Sequence, residues 1–389
     1  MVVLRYIVAI LGFLIVTMTL WDAFEVIILP RRVTRRLRFA RFFYRLTWRL
    51  RSMVAQLIPL DKPRENYLSS FGPLSLLLLL TAWVTGLVAG FAMLQWGLQD
   101  RLNVLDRAAP FSTYLYLSGT TFFTLGLGDV IPLGRLGKEL VVIEAGLGFA
   151  FLGGVVTYLP TIYQAFSRRE VGILMLDARA GSPPSAGELL RRNGNDMSGL
   201  EQLLGKWEGW SAELLESHIS YPFLVYFHSQ HVNQSWLGAL IAILDASALV
   251  IAGIDGGPTR QAKLTFAMAR HAVVELTQNF ILSPPSPACD RLPSSSFTVL
   301  RKMLAEADVS MRAGTATEQK LSELRAMYEP YVQALGKYLL IPMPPWFRTS
   351  ETPDSWQRGN WQALIPVAAE SGAISKSKVL ATESITANS

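Results

Sequence analysis

The residues best suited to chemistry form a glycine-containing run at positions 120–132, Thr-Thr-Phe-Phe-Thr-Leu-Gly-Leu-Gly-Asp-Val-Ile-Pro. At membrane depth such a run suits a pore lining, because rings of backbone carbonyls can replace the water shell of a cation. Gly126 and Gly128 can adopt the positive φ that aiming consecutive carbonyls into one pore requires. Thr124 adds a hydroxyl oxygen as the innermost ligand, and Asp129 can brace the outer mouth. Without membrane segments on both sides, the same run would be a tight turn.

Two long apolar segments flank this run and supply the membrane context. Residues 66–99 contain no charged side chain, and Glu144 is the only charged residue within 140–167. Each segment is long enough to cross a hydrocarbon core of ~30 Å. A third apolar segment, at 6–29, suits an uncleaved membrane helix better than a secretory signal. The sequence therefore predicts three spans and one re-entrant loop, whose non-helical backbone must be buried in protein or line water.

Residues 68–166 resemble the pore module of the potassium channel superfamily, which consists of an outer helix, a pore helix, a filter and an inner helix. Thr120 and Thr121 resemble the pore-helix threonines of that family. The residues that match its filter signature are Thr124, Leu125, Gly126, Leu127, Gly128 and Asp129. Leu127 is a departure, because most members carry Tyr or Phe there, although some two-pore-domain channels and bacterial relatives carry Leu. The resemblance implies that these signature residues bind potassium as the transported ion.

The resemblance also implies a contact behind the filter and a hinge in the inner helix. Tyr116 falls where many members place an aromatic residue that hydrogen-bonds the filter aspartate, so we predict a contact with Asp129. Gly148 lies about where members carry a glycine that lets the inner helix bend open, and Gly146 is a second candidate. Close packing against another helix is the alternative role for both glycines.

Glu144 is an ionisable group inside a predicted span, where a charge is costly unless it is paired or faces water. We expect it to face the pore helix or an aqueous cavity and to accept a hydrogen bond from a Thr or Tyr side chain. The alternative is a protonated or hydrogen-bonded acid with a structural role only.

Basic residues predict the orientation of the spans. The loop after the first span contains nine arginines and no acid within 31–51, namely Arg31, Arg32, Arg35, Arg36, Arg38, Arg41, Arg45, Arg49 and Arg51. The only basic residue before the first span is Arg5. By the positive-inside rule this loop is cytoplasmic, the N-terminus is outside and the last span returns to the cytoplasm. This is the orientation that a potassium-type filter requires.

The arginine-rich loop also predicts a lipid contact. Phe39, Phe42, Phe43, Leu46 and Leu50 recur at helical spacing among the arginines. A basic amphipathic helix of this kind lies along an anionic leaflet. The alternative is that the arginines only fix topology. Their place between two spans argues against nucleic-acid binding, and their place outside the apolar run argues against a voltage sensor.

The sequence after the last predicted span, from about residue 168, predicts a separate helical domain. Helical patterns recur at 198–217, 222–231, 234–252, 259–281, 297–312 and 317–340. The apolar stretch 236–254 is interrupted by Asp245 and predicts a buried helix rather than a span. No strand-rich alternation or Gly-x-Gly-x-x-Gly loop is present, which argues against a nucleotide-binding regulatory domain. A proline- and serine-rich linker follows at 283–296.

The candidate metal ligands of the chain are histidines, with glutamates nearby. His228 and His231 stand three residues apart on a predicted helix, and helical bundles can build metal sites from such pairs. Proton sensing is an alternative, because histidine titrates near neutral pH, and so is simple packing. The single cysteine, Cys289, excludes an intrachain disulfide. We expect no cofactor.

Together these features predict an all-α membrane protein with a tetrameric pore-loop channel module and a helical cytoplasmic C-terminal domain. The predicted parts are a membrane helix at 1–30, a basic linker at 31–65, the pore module at 66–167, the helical domain at 168–345 and a disordered tail at 346–389. A single pore loop cannot form a ring, so four copies must assemble by closed symmetry.

We therefore expect a potassium-selective channel of a prokaryotic plasma membrane that the helical domain gates or assembles, and not an enzyme. Two alternatives stay open at this point. One is a non-conducting membrane anchor that presents a binding or enzymatic module, and the other is a poorly selective cation channel.

Overall fold

The described residues of the protein form helices and, among them, two isolated β-bridges, which pair Leu102 with Pro132 and Ile254 with Met311. The computed structural model describes residues 2–29, 39–59, 62–99, 101–103, 109–229, 233–280 and 290–348. It divides into two compact units. The first contains the described residues up to Arg168 together with Leu214–His228, and the second contains Arg169–Glu213 and the described residues from Ser229 onward.

The first unit is built on apolar helices. Its elements are α1 (Val2–Ile27), α2 (Phe39–Leu57), α3 (Lys62–Ser69), α4 (Phe71–Gly97), α5 (Phe111–Phe122) and the greater part of α6 (Arg135–Ala180). Helices α1, α4 and α6 are long and apolar enough to cross a membrane. A described helix of this kind therefore coincides with each of the three predicted spans.

Glycine brings α1 and α4 unusually close together. A Cβ atom added at Gly97 would lie 2.6 Å from the backbone nitrogen of Ala9, and one at Gly12 would lie 2.6 Å from the carbonyl oxygen of Gly90. Only residues without side chains permit this approach, which is how membrane helices gain packing energy in the absence of a hydrophobic driving force. Helix α1 is thus an integral partner of α4.

An aromatic cluster ties the chain segment 214–228 to the first unit. Pro222–Tyr226 form a 3₁₀ helix, and the ring of Tyr226 lies 5.0 Å from that of Trp48 and 5.4 Å from that of Phe71. Phe227 packs so closely on Gly72 that an added Cβ would lie 2.5 Å from its ring. The predicted α-helix over 222–231 is wrong, because helical structure ends at Tyr226 and consecutive side chains there are buried on all sides.

The second unit surrounds one apolar helix. It contains α7 (Ala186–Asn193), most of α8 (Met197–Ser220), α9 (Trp236–Gly253), α10 (Thr259–Phe280), α11 (Ser294–Ala305), α12 (Thr315–Ala326) and α13 (Glu329–Leu339). By length and composition α9 could also cross a membrane, but nearly all of it is buried by α7, α10, α12 and α13. This burial agrees with the predicted buried helix.

Two other predicted helices have different limits in the structure. The helix expected over 297–312 ends at Ala305, and Asp308 then takes a left-handed conformation with φ +58°. The helix expected over 317–340 is interrupted between Ala326 and Glu329, where Pro330 occupies the first turn of the next helix. Residues 283–289 of the expected linker at 283–296, including Cys289, lie outside the described residues. The linker prediction is wrong at 294–296, because Pro293 is the N-cap residue of α11 and these serines form its first turn. Of the expected tail at 346–389, the residues beyond 348 lie outside the described residues.

Candidate pore and selectivity filter

The predicted filter begins directly at the end of helix α5. The backbone N–H of Thr124 donates to the carbonyl of Thr121 at 2.9 Å, and that of Leu125 donates to the carbonyl of Thr120 at 2.8 Å. These two bonds fix the start of the filter segment to the last turn of the helix. The position of the filter therefore depends directly on the position of α5.

The backbone of the filter alternates in handedness. Thr124, Gly126 and Gly128 have φ values of +57°, +56° and +76°, and every second residue is thus left-handed. Left-handed backbone is open to glycine at little cost and is uncommon for a residue with a Cβ, such as Thr124. This alternation is the backbone pattern that the filter hypothesis requires, because it can direct successive carbonyls to one side.

The side chains of the filter segment are exposed in the single chain. Leu125 and Leu127 are 61% and 62% exposed, and no atom of the described residues lies within 4 Å of a Cβ added at Gly126 or Gly128. The hydroxyl of Thr120 lies 3.1 Å from the carbonyl of Tyr116 within its own helix, and Thr121 is buried. The predicted filter segment therefore has one side supported by protein and one side that is exposed to solvent among the described residues.

Polar contacts hold the C-terminal end of the predicted filter segment. The Tyr116 hydroxyl donates to Asp129 Oδ2 at 2.8 Å, so the predicted contact is present. Asn103, which the sequence did not indicate, accepts from the N–H of Ile131 at 2.7 Å through its side chain and donates its own N–H to the Ile131 carbonyl at 3.1 Å. An asparagine in a loop gives no signal of such a long-range pairing.

Glu144 is fully buried between α4, α5 and α6. Gln95 on α4 donates its side-chain N–H to Glu144 Oε2 at 3.2 Å, and the Ser118 hydroxyl on α5 contacts Oε1. The expected Thr or Tyr partner is wrong, because the polar groups that face the carboxyl come from a serine and a glutamine. Gln95 is a polar residue within the charge-free run 66–99, which indicates a polar contact inside the span but does not indicate its partner.

The two hinge candidates have different surroundings on an unbroken helix. A Cβ added at Gly148 would lie 2.0 Å from the carbonyl oxygen of Phe122 at the end of α5, whereas one at Gly146 would meet nothing within 4 Å. Gly148 thus permits close contact between α6 and α5. A hinge at either glycine stays a prediction.

Helix α2 presents three faces. Tyr44 and Trp48 are buried in the aromatic cluster of the first unit. The opposite face is apolar and exposed, and consists of Phe39, Phe42, Leu46, Leu50, Met53 and Leu57. Arg41, Arg45 and Arg49 repeat every fourth residue along the flank between these faces. The arginines of the loop that precede α2 lie outside the described residues, namely Arg31, Arg32, Arg35, Arg36 and Arg38.

Helix α2 is held in place by an acid of the first span. Asp22 accepts the backbone N–H of Ala40 at 3.2 Å and the side-chain N–H of Trp83 at 2.9 Å. A carboxylate at a helix N-terminus satisfies free N–H groups and favourably interacts with the helix dipole.

The structure describes one of the two histidines of the predicted pair, His228. His231 lies outside the described residues, and His228 follows the 3₁₀ helix instead of lying on an α-helix. Within the described ranges, no group of three or more His, Cys, Asp or Glu side chains is arranged to hold a metal ion.

Comparison with known proteins identifies the class of the first unit. Residues 77–165 match a family model described as "Ion channel". This match confirms the predicted pore module, so the chain contains an ion channel domain at 77–165, in a unit whose helices α1, α4 and α6 are long and apolar enough to cross a membrane.

The relatives that match parts of the chain include three bacterial proteins. The chain is 29% identical over 191 residues to the "Uncharacterized membrane protein YdjJ" of Bacillus subtilis (strain 168), which covers 47% of this chain and 54% of that protein. It is 32% identical over 88 residues to "Protein LctB" of Bacillus caldotenax and 33% identical to "Protein LctB" of Geobacillus stearothermophilus, in each case over 20% of this chain and 65% of the relative. The chain thus spans 54% to 65% of the length of these relatives. No solved structure matches it significantly.

Proposed function

We propose that this chain is a subunit of a potassium-selective channel that conducts passively through the carbonyls of residues 124–128. The observation that supports this function best is the alternation of left-handed backbone at Thr124, Gly126 and Gly128. Such a backbone is strained at a threonine, and strained backbone of this kind concentrates at functional sites. The contact of Tyr116 with Asp129 supports the same function, because it braces the outer end of the filter.

Potassium flux into proteoliposomes tests this function. The wild-type protein is expected to admit potassium, and Gly126→Ala is expected to abolish the flux because alanine is strained at φ +56°. Gly153→Ala is a matched control, since both glycines have open space around an added Cβ but only Gly126 is left-handed. Equal flux in Gly126→Ala and wild type would contradict the filter assignment. Comparable sodium flux would instead indicate the poorly selective channel that Leu127 leaves open.

We propose a homotetramer as the conducting assembly. A single copy leaves the filter exposed, together with an apolar side of α6 that includes Phe149, Leu152 and Val156. Closed rotational symmetry covers such a face in every subunit at once. Native mass spectrometry is expected to give four times the subunit mass of 43.1 kDa. A monomer or dimer that still conducts would contradict this assembly.

We propose that α2 lies on the cytoplasmic leaflet and contacts anionic lipid. Its exposed apolar face and the arginine flank beside it are the two components that interfacial helices combine. Arg45→Gln with Arg49→Gln is expected to lower the number of phosphatidylglycerol molecules retained from mixed nanodiscs. Arg260→Gln with Lys263→Gln removes the same charge from exposed positions of α10 and is expected to leave that number unchanged.

This placement implies the orientation and location of the chain. The N-terminal end of α1 lies outside, the second unit lies in the cytoplasm, and the membrane is a prokaryotic plasma membrane. The second unit gates or assembles the pore, since helix α6 continues without a break from the first unit to Ala180 in the second. A cysteine introduced before α1 is expected to react with an impermeant thiol reagent added to intact cells. A cysteine introduced after α13 is expected to react only when the reagent has access to the cytoplasmic side.

A further inference from the structure

Glu144, Ser118 and Gln95 form a closed polar cluster inside the first unit. Each comes from a different helix, and none of the three has measurable exposure. Within the described part of the chain, the hydrogen-bond partners of the carboxyl group are the neutral Gln95 side chain at 3.2 Å and the neutral Ser118 hydroxyl. An ionised carboxylate in such surroundings would carry a large desolvation penalty without a compensating cation.

The protons available for hydrogen bonds around Ser118 indicate whether the Glu144 carboxyl group is protonated. The Ser118 hydroxyl lies 2.7 Å from the carbonyl oxygen of Val88 and also contacts Glu144 Oε1. A hydroxyl has one proton to donate, while a carbonyl and a carboxylate can only accept. If Ser118 donates to Val88, its contact with Glu144 is a hydrogen bond only when the carboxyl group supplies the proton.

We propose that Glu144 is a neutral carboxylic acid that positions the pore helix. The carboxyl O–H donates to Ser118 Oγ, the Ser118 hydroxyl donates to the Val88 carbonyl, and Gln95 donates to Glu144 Oε2. This arrangement satisfies the acid from two sides and joins α4, α5 and α6 through one side chain. Glu144 is therefore a positioning residue that acts on the filter through α5.

The path from Glu144 to the filter is short. Ser118 lies two residues before Thr120, and the carbonyls of Thr120 and Thr121 hold the first N–H groups of the filter segment. Loss of the Glu144 bridge is thus expected to loosen the last turn of α5 and the segment that begins there. The part of this inference that concerns ion selectivity rests on the proposed function, whereas the proton and the position of α5 do not.

Infrared spectroscopy of the full-length protein in lipid tests the proton directly. With ¹³C-labelled glutamate, the difference spectrum between wild type and Glu144→Gln at neutral pH is expected to contain the C=O band of a protonated carboxylic acid. Carboxylate bands in its place would overturn the proposal. This readout requires no ion conduction, so it stands whether or not the channel function is correct.

Hydrogen exchange of α5 tests the positioning role. Glu144→Ala is expected to accelerate amide exchange in peptides that cover 111–125, while Glu144→Gln keeps an N–H donor for Ser118 and an acceptor for Gln95 and is expected to exchange like wild type. Ser118→Ala is expected to resemble Glu144→Ala. A matched control in the second unit is Ser247→Ala, which removes a fully buried hydroxyl that has no hydrogen-bond partner among the described residues.

Selectivity gives the functional readout. The potassium-to-sodium permeability ratio is expected to fall about tenfold in Glu144→Ala, equivalent to ~1.4 kcal/mol, and to stay within about twofold in Glu144→Gln. Unchanged exchange of α5 in Glu144→Ala would overturn the positioning role, whatever the currents are. A loosened α5 with an unchanged permeability ratio would overturn only its effect on selectivity.

Discussion

Glu144 in the first unit and Asp245 in the second are both fully buried, but their partners differ in charge. Asp245 receives two hydrogen bonds from the Arg291 guanidinium, at 2.8 and 3.2 Å, and a third from the Tyr328 hydroxyl. Glu144 receives its contacts from a neutral amide and a neutral hydroxyl. Two carboxyl groups with the same burial are thus satisfied by opposite means.

The partners of Arg291 show how the second unit uses its charge. Arg291 also contacts Glu329 at 3.4 Å and the carbonyl of Pro344 at 3.0 Å, so it joins three parts of the chain to α9. Burial opposes the charge of this arginine, but the neighbouring Asp245 carboxyl and Glu329 raise its pKa. Burial also raises the pKa of Glu329, against the effect of Arg325 and Arg291.

This difference teaches where a buried charge is tolerated. A carboxylate in the second unit is matched by a cation in a planar, two-bonded geometry, which is the strongest pairing available to side chains. In the first unit a carboxyl group is matched by neutral hydrogen bonds, which suit a membrane environment where charge is costly. The comparison predicts that removing a partner has a larger effect in the second unit.

Arg291→Leu is the change with the largest expected effect. It leaves the Asp245 carboxylate buried without its cation, which typically costs about 3–5 kcal/mol. Native-state hydrogen exchange of α9 amides in the full-length protein measures this loss of opening free energy.

The control for this prediction is an exposed ion pair of the same unit. Arg312 and Asp255 lie 2.9 Å apart with side chains that are 67% and 54% exposed, and Arg312→Leu is expected to change the free energy by less than about 1 kcal/mol. If both arginine variants had equal effects, burial would not be what distinguishes the Asp245 pair.

Gly148→Ala is expected to have a smaller but distinct effect on the first unit. Its Cβ would lie 2.0 Å from the Phe122 carbonyl oxygen, so α5 or α6 must shift, and overpacking of this kind costs about 1–3 kcal/mol. Thermal unfolding of the lipid-embedded protein measures the loss. Gly146→Ala, with open space on the same helix, serves as the control. If Gly146→Ala were destabilising and Gly148→Ala were not, the close contact of Gly148 with α5 would not be important for stability.

The smallest expected effect on stability concerns Glu188, another acid of the second unit that is paired with cations. Glu188 at the start of α7 is buried, which acts to raise its pKa, but hydrogen bonds from Arg191 and Arg192 lower the pKa overall. The folded pKa is therefore below the unfolded value of about 4.3. The stabilisation is fully present above that value and is lost as the pH falls through the folded pKa.

Glu188→Gln tests this pH dependence. It is expected to lower the free energy of unfolding by about 1 kcal/mol at neutral pH, and by progressively less below about pH 4. Chemical denaturation at a series of pH values measures the difference from wild type. Glu323→Gln, in a pair with Lys320 at 3.5 Å that is more than half exposed, is expected to show no such trend. A constant difference for Glu188→Gln across the pH range would contradict the ionic role.

The sequence predicted the local features of the pore module well. Three long apolar segments with few or no charges identify the spans by themselves, and Thr124 to Asp129 form a contiguous signature whose glycines have a direct backbone meaning. The Tyr116 contact with Asp129 followed from the resemblance to a family in which many members place an aromatic residue there.

Contacts between distant residues were beyond the reach of the sequence. Neither the partners of Glu144 nor the pairing of Asn103 with Ile131 has a local pattern, because both depend on how helices and loops pack. The same reason explains the wrong α-helix at 222–231. Its aromatic residues satisfy a helical pattern, yet the segment packs as a 3₁₀ helix among rings from α2 and α4.

The most direct test of the account is the reversal potential of the purified protein in a bilayer, with potassium on one side and sodium on the other. We expect a value near the potassium equilibrium potential in wild type and in Gly153→Ala, and loss of selective current in Gly126→Ala. A reversal near zero with robust current in all three proteins would contradict a potassium-selective filter at residues 124–128.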